Sequence, residues 1–341
     1  MKLQGLLSRV RYMTALAIAT LAGVQTVHAQ QEVQYSQYMF NMLAVNPAYA
    51  GSRDVLSMTG LYRQQWANIS NVNTASFTID MPIKKEKVGI GLQVYNDQIG
   101  LFNNTGIYAS YAYRVKVTQK TTLSMGVQGG VTNLYGNLGS VVTAYNASGV
   151  GQTGVDPTFT GNISKWLPNV GVGLYLSNDR GYIGLSAPTL IQNAIKDVTG
   201  KIDTTTNTQV SQARQDRHYF LMMGFVVGLG RSLALKPSIL VKATRDAAAL
   251  DLNLNLWIKD RIAIGGSWRT NNGDFSSVFS NNRGDAVVGL LEIQATDQFR
   301  LGYSYDFMLN GLTKAAGPTH EAMLRYEFGY RKAKILTPRY F

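Results

Sequence analysis

The chain offers little for catalysis or metal binding: it has three histidines and no cysteine. His218 and His320 are the only histidines past the first thirty residues, and no two metal ligands stand at helical or hairpin spacing, so no metal site is expected. Serines abound, yet there is no Gly-x-Ser-x-Gly elbow and no Ser/His/Asp set stands out, so neither enzymatic activity nor a cofactor is expected. Arg283-Gly284-Asp285 could be an adhesive tripeptide but fits a turn before a strand better. What remains is ion-pair chemistry. Arg63, Arg114, Arg269, Glu292, Arg300, Asp306, Arg325 and Glu327 occupy alternate positions in segments whose other positions are apolar. Because both signs are interspersed, the preferred reading is a hydrated interior that neutralises itself and fixes its walls, or holds a plug. A selectivity or gating cluster in a pore, centred on Arg63, Glu292, Arg300, Asp306, Arg325 and Glu327, is the alternative.

Such residues need strands to place them, and Phe299 to Phe307 shows the pattern. Phe299, Leu301, Tyr303, Tyr305 and Phe307 form an apolar row, while Arg300, Gly302, Ser304 and Asp306 form a small or charged one. A period of two means an extended strand. In a soluble sandwich the aromatic row would face a core; in a transmembrane barrel it would face lipid and the polar row the lumen. About fourteen such strands follow one another: Val55–Trp66, Ala75–Met81, Val88–Asn96, Thr105–Val115, Leu123–Val131, Val170–Leu176, Tyr182–Ser186, Tyr219–Leu229, Leu233–Ala243, Leu250–Ile258, Ile262–Trp268, Ala286–Ala295, Phe299–Phe307 and Ala322–Tyr330.

The links decide between the two architectures. After even-numbered strands they are tight, as at Lys84–Lys87, Lys116–Lys120, Asn178-Asp179, Gly230-Arg231, Lys259-Asp260 and Thr296-Asp297. After odd-numbered strands they are longer or more variable, notably Leu134–Leu167, Ala187–Arg217 and Thr270–Gly284. An outer-membrane barrel has short periplasmic turns and long outer loops, whereas a sandwich has no reason to alternate. The expected fold is therefore an all-β transmembrane antiparallel barrel over residues 54–330, with both mature ends in the periplasm. Tyr62 and Trp66 at one rim, and Tyr326, Phe328 and Tyr330 at the other, would be girdle aromatics.

Composition and targeting agree. Lys2, Arg9 and Arg11, the apolar Met13 to Val24 and the small residues up to Ala29 make residues 1–29 an export signal. An exported chain without cysteine must satisfy its backbone in a large regular structure rather than a disulfide framework. The 34 glycines, 19 tyrosines and 8 prolines suit strands. Residues 30–53 do not alternate. Tyr35, Tyr38, Met39 and Met42 recur at helical spacing before Asn46-Pro47, which predicts a short amphipathic leader helix that plugs the lumen or its periplasmic mouth.

The net charge of +12 has a location. Lys84, Lys85, Lys87, Lys116, Lys120, Arg231, Lys259, Arg331, Lys332, Lys334 and Arg339 fall on the turns or on the tail 331–341 that this topology sends to the periplasm. They form either a solvated face or a docking surface for acidic or peptidoglycan-bound partners.

Several motifs in order carry a resemblance: Tyr35-Ser36-Gln37-Tyr38, Asn46-Pro47-Ala48-Tyr49-Ala50-Gly51, Tyr62-Arg63-Gln64-Gln65-Trp66, Leu235-Lys236-Pro237-Ser238, Asp251-Leu252-Asn253-Leu254-Asn255, His320-Glu321 and Pro338-Arg339-Tyr340-Phe341. Together they resemble the PorP/SprF family of outer-membrane proteins of type IX secretion and gliding motility, over nearly the whole mature chain. The resemblance implies a non-enzymatic barrel embedded in outer-membrane lipid. It would serve either as a component of the secretion machine or as a helper that exports and holds a large surface adhesin, with partner choice in the long loops. Neither nucleic acid nor a small-molecule substrate is expected. A general porin or nutrient channel is the alternative and would need an open lumen.

Overall fold

Alternation of apolar and polar residues closes this chain into a barrel, seen in a computed structural model that describes residues 33–83, 87–137, 162–195, 214–245, 247–270, 284–309 and 313–328. The expected signal at 1–29 lies outside the described residues, as do Lys84, Lys85, Arg331, Lys332, Lys334 and Arg339. The strands are β1 (Leu56–Gln64), β2 (Val72–Ile83), β3 (Val88–Ile99), β4 (Phe102–Lys116), β5 (Thr122–Asn137), β6 (Asn162–Asn178), β7 (Gly181–Thr189), β8 (His218–Phe225), β9 (Val227–Gly228), β10 (Leu233–Ala243), β11 (Ala248–Ile258), β12 (Ile262–Thr270), β13 (Gly284–Gln294), β14 (Phe299–Met308) and β15 (Thr319–Phe328). β8 and β9 are one stave interrupted at Val226, so the fifteen segments make fourteen staves. Across the break, between the paired residues Leu235 and Ser238 of β10, stands Pro237, which has no N–H to give the ladder. Every stave pairs antiparallel with its chain neighbours, and β1 closes the ring on β15, with Arg63 opposite Glu321.

The two faces follow the two rows. On β14, Phe307 is 49% exposed and Asp306 1%. On β11, Leu252 and Leu254 point out while Asp251, Asn253, Asn255 and Trp257 are buried inside. A closed sheet leaves no free edge, so the ladder groups pair within the wall, as a membrane-spanning structure requires.

One end of the barrel carries the links after β2, β4, β6, β9, β11 and β13, all of five residues or fewer; it is called the turn end here. The opposite, long-link end differs from expectation in detail. Two of its connections are also tight, Gly100-Leu101 between β3 and β4 and residues 244–247 between β10 and β11. Part of the expected loop Leu134–Leu167 is paired strand, with Leu134 opposite Lys165 and Asn137 opposite Asn162, which leaves 138–161 outside the described residues. Ala187 to Thr189 complete β7, and a bridge from Ala194 to Arg214 prolongs the next hairpin. Of the aromatic rim, Tyr62 and Phe328 face outward. Trp66 has left β1 for a half-buried turn with φ of 55°, Tyr326 is half-buried edge-on to Phe328, and Tyr330 lies outside the described residues.

The leader is not an amphipathic helix. It makes three single 3-10 turns, Tyr38–Phe40, Met42–Ala44 and Pro47–Tyr49. A one-sided apolar stripe stabilises an α-helix lying on a surface; here every residue from Tyr35 to Ala50 except the half-buried Ala44 is buried. Asn46-Pro47 does not end the pattern but begins the third turn: the Asn46 carboxamide accepts the Ala48 N–H, and Pro47 fills the position that needs no donor.

Candidate functional site

The lumen is occupied by the leader, and the wall residues that hold it are the ones whose chemistry stands out. Glu321, fully buried on β15, accepts the main-chain N–H of Ser36 at 2.9 Å and of Gln37 at 2.8 Å, one on each carboxylate oxygen. The Gln37 side chain donates in turn to the Glu321 carbonyl at 3.1 Å. The Ser36 hydroxyl donates to Asp306 at 2.6 Å and accepts from Arg63 at 2.7 Å and Arg269 at 3.1 Å. Arg63 also pairs with Asp306 and Glu321, each at 3.1 Å, and Arg269 with Asp306 at 3.2 Å. Asp251 extends the set, receiving Arg269 and Lys242, both at 2.8 Å. Two cations and two carboxylates from β1, β12, β14 and β15 thus converge on one serine, with Asp251 of β11 and Lys242 of β10 paired behind Arg269. Buried charges need partners, and each of these six is ion-paired.

Below this clamp the leader touches the rest of the wall. Tyr38 donates to Ser238, Thr78 to the Asn41 carboxamide, and Ser186 to the Val45 carbonyl. Asn46 reaches the carbonyls of Leu174 and Leu185 on β6 and β7, and Tyr175 packs edge-on against Tyr49 at 5.5 Å. At the turn end, Gly51 donates its N–H to Asp80 and its carbonyl accepts from Arg114, which also donates to Asp54 at 2.7 Å.

The glycines of the inward rows supply the room. A Cβ on Gly173 would overlap the Asn46 carboxamide, on Gly126 the backbone of Ala48, on Gly89 that of Ala50, and on Gly302 the side chain of Gln37. Glycine in a strand weakens it and marks close approach of another backbone, which is what these positions provide.

Tyr35, Tyr38, Met39 and Met42 all lie buried among the wall residues. The six charged residues grouped at the lumen face inward but do not form one cluster. Arg63 and Asp306 belong to the Ser36 clamp. Arg300, Glu292, Arg325 and Glu327 sit nearer the turn end: Arg300 pairs with Glu292 at 2.8 Å, Glu327 with the leader's Arg53, and Arg325 donates to Thr59. Four residues of β15, roughly 13 Å along a strand, separate Glu321 from Arg325. Trp257 lies among this second group, with Lys236 at 4.9 Å and Arg300 at 5.1 Å from its ring centre. Sequence reasoning missed Glu321, Asp251, Lys236, Lys242, Arg53 and the inward glycines. The strand period could have found Glu321, since it shares a row with Arg325 and Glu327.

Of the basic turn residues, Lys87, Lys116, Lys120, Arg231 and Lys259 are exposed at the turn end, with Arg180 and Arg261 beside them. Arg261 pairs with Asp297 at 3.2 Å in the open. No group of three or more metal-binding side chains occurs among the described residues.

Among solved structures, the chain is similar to a Pseudomonas aeruginosa FadL homologue (13% identity, TM-score 0.47, covering 86% of this chain and 94% of that one). It is similar also to the Ralstonia pickettii toluene transporter TbuX (10%, 0.45, 86% and 93%) and to the Acinetobacter baumannii outer membrane protein Omp33 (10%, 0.40, 80% and 98%). Likeness at this level says nothing about cargo. The sequence matches no curated protein. Residues 27–326 match the family model described as type IX secretion system membrane protein PorP/SprF.

Proposed function

Since this chain belongs to the PorP/SprF family of type IX secretion system membrane proteins, we propose that it is a non-enzymatic outer-membrane barrel that supports export and surface retention of a secreted partner such as a large adhesin, with its lumen kept shut. The observation that supports this over an open porin is the Ser36–Gln37 clamp, which fixes the leader across the lumen by six hydrogen bonds to β1, β12, β14 and β15. Among the described residues, Arg63, Arg269, Asp306 and Glu321 are engaged by the leader and Arg300 by Glu292, rather than set as a row of free charges to select an ion or nutrient. Partner choice falls to the long links, whose length exceeds what closing a hairpin requires. The basic turn end faces the periplasm and steers acidic parts of the secretion or gliding apparatus.

The test is conductance in planar bilayers together with partner export in cells. The purified protein should lack porin-like conductance, and deleting residues 31–43 should raise it. Deleting the gene should leave its surface partner unexported. An intact protein that conducts like an open porin would sink the closed-lumen reading.

A further inference from the structure

The second group of lumen charges, nearer the turn end, holds more donors than acceptors. Arg300 on β14, Arg325 on β15 and Thr59 on β1 stand directly opposite one another on inward rows, all three buried. Residues so paired hold their Cβ atoms about 5 Å apart, and like charges there repel. Arg300 has a carboxylate, Glu292 at 2.8 Å, and a carboxamide, Gln294. Arg325 has no carboxylate: its one bond among the described residues runs from Nε to the Thr59 hydroxyl at 3.2 Å, which leaves both terminal nitrogens without a protein acceptor. Thr59 accepts that bond and keeps its own O–H proton to give. Trp257 joins the set, its ring against Arg300 and Lys236 and its buried indole N–H meeting no acceptor. Glu292 has an oxygen to spare, which is one acceptor against all of these donors. The charges do not balance either. Arg53, Lys236, Arg300 and Arg325 stand against Glu292, Glu327 and Asp80, and Asp80 accepts the Gly51 N–H rather than pairing with any of them.

Surplus donors on one arc of wall, carrying a net positive charge and removed from bulk water, call for an acceptor that is itself an anion. We infer that Arg325, Arg300, Thr59, Lys236 and Trp257 form a seat for one phosphate-type oxyanion, either free phosphate or the phosphate of a lipid headgroup, held between the two guanidiniums. A guanidinium grips two oxygens of such a group through parallel N–H bonds, and a tetrahedral anion has oxygens left for the hydroxyl and the indole. Arg325 lies three residues from Phe328, roughly 10 Å of strand, so the nearer mouth is the turn end. The exposed basic residues of that rim, such as Lys116, Arg231 and Lys259, raise the local concentration of anions there. This is a single seat beside the leader's Arg53 and not a row along the lumen, so it needs no open channel. It is independent of the proposed role in export.

The full-length protein, extracted into a detergent that carries no phosphate, tests this in two ways. Phosphorus NMR of the protein as extracted should show a retained resonance, a phosphodiester if the source is a lipid and inorganic phosphate if it is the free ion, and Arg325→Gln should lose it. After washing, calorimetric titration with inorganic phosphate should be saturable, and thermal unfolding should rise with phosphate and not with chloride at equal ionic strength. Arg325→Gln and Trp257→Phe should each weaken phosphate binding roughly ten- to a hundredfold, the worth of a hydrogen bond to a charged group. Exposed Arg217→Gln, at the long-link end, should bind as the parent does. Folding of the variants is checked by heat-modifiable gel migration, and stability supplies a sign of its own. Without phosphate, Arg325→Gln should unfold no earlier than the parent, because it loses an uncompensated buried charge; with phosphate the order should reverse. A parent that neither retains a phosphorus resonance nor binds phosphate saturably overturns the inference, and so does equal affinity in Arg325→Gln or a rise in unfolding temperature that chloride matches.

Discussion

Replacing Glu321 by glutamine changes neither the size nor the shape of the residue at the centre of the clamp, yet it should free the leader. Each carboxylate oxygen accepts a main-chain N–H, from Ser36 at 2.9 Å and Gln37 at 2.8 Å, and one also accepts Arg63 at 3.1 Å. A carboxamide has only one acceptor oxygen, so its NH2 must face one of those N–H groups or the Arg63 guanidinium. One charge-assisted bond is lost, about 1.5–3 kcal/mol, and one buried donor is stranded, about 1–3 kcal/mol. Relaxation recovers part of this, so a net weakening of about 3 kcal/mol is expected, or roughly a hundredfold rise in the undocked leader population at 1.4 kcal/mol per tenfold. Hydrogen exchange resolves it: the amides of Ser36 and Gln37 should lose about two orders of magnitude of protection, while strand amides such as those of β4 keep theirs. Heat-modifiable gel migration should confirm that the barrel itself is intact. Unchanged protection at Ser36 and Gln37 in Glu321→Gln would refute the claim that the clamp holds the leader.

Valine at Gly173 or Gly126 should expel the leader by overlap with Asn46 or Ala48 and raise conductance in planar bilayers, whereas valine at the outward Gly289, where a Cβ meets nothing, should leave it unchanged. Equal conductance for the three variants would remove the close-approach role of the inward glycines. Reversing Arg331, Lys332 and Lys334 to glutamate, alone or with Lys87 and Lys259, should keep outer-membrane levels normal and abolish export of the surface partner; normal export would leave the basic end a merely solvated face. Exchanging residues 138–161 and 196–213 for those of a related barrel should exchange the surface protein retained, and unchanged retention would move recognition elsewhere.

The barrel was legible because one face of every stave is apolar and points outward: the row from Phe299 to Phe307 keeps its period without reference to any distant residue. The leader was legible only as a departure from that period. Tyr35, Tyr38, Met39 and Met42 have helical spacing, but burial on every side and the breaks at Asn41 and Asn46 divide it into single turns. Parity assigned Arg63, Arg300, Asp306 and Arg325 to the inside, yet their height depends on register, so two separate groups looked like one. The glycines were counted but not understood, since what each accommodates lies far away in sequence: Gly126 makes room for Ala48, and Gly173 for Asn46. Leu134 to Asn137 looked like loop because Gly136 and Asn137 are turn-forming residues, yet they continue β5 paired with β6.

The clamp joins positions 285 residues apart, Ser36 near the start and Glu321 on the last strand. Contacts of such separation form late, after the intervening chain has been ordered. Until β15 is laid against β1, Ser36 and Gln37 have no carboxylate to receive them, and Arg63 lacks its cross-strand partner. Seating of Ser36 and Gln37 on Glu321 therefore cannot precede closure of the ring. A barrel stalled one strand short would be open along its side and would lack the carboxylate that seats Ser36 and Gln37, so that closing the ring also sets the upper end of the plug.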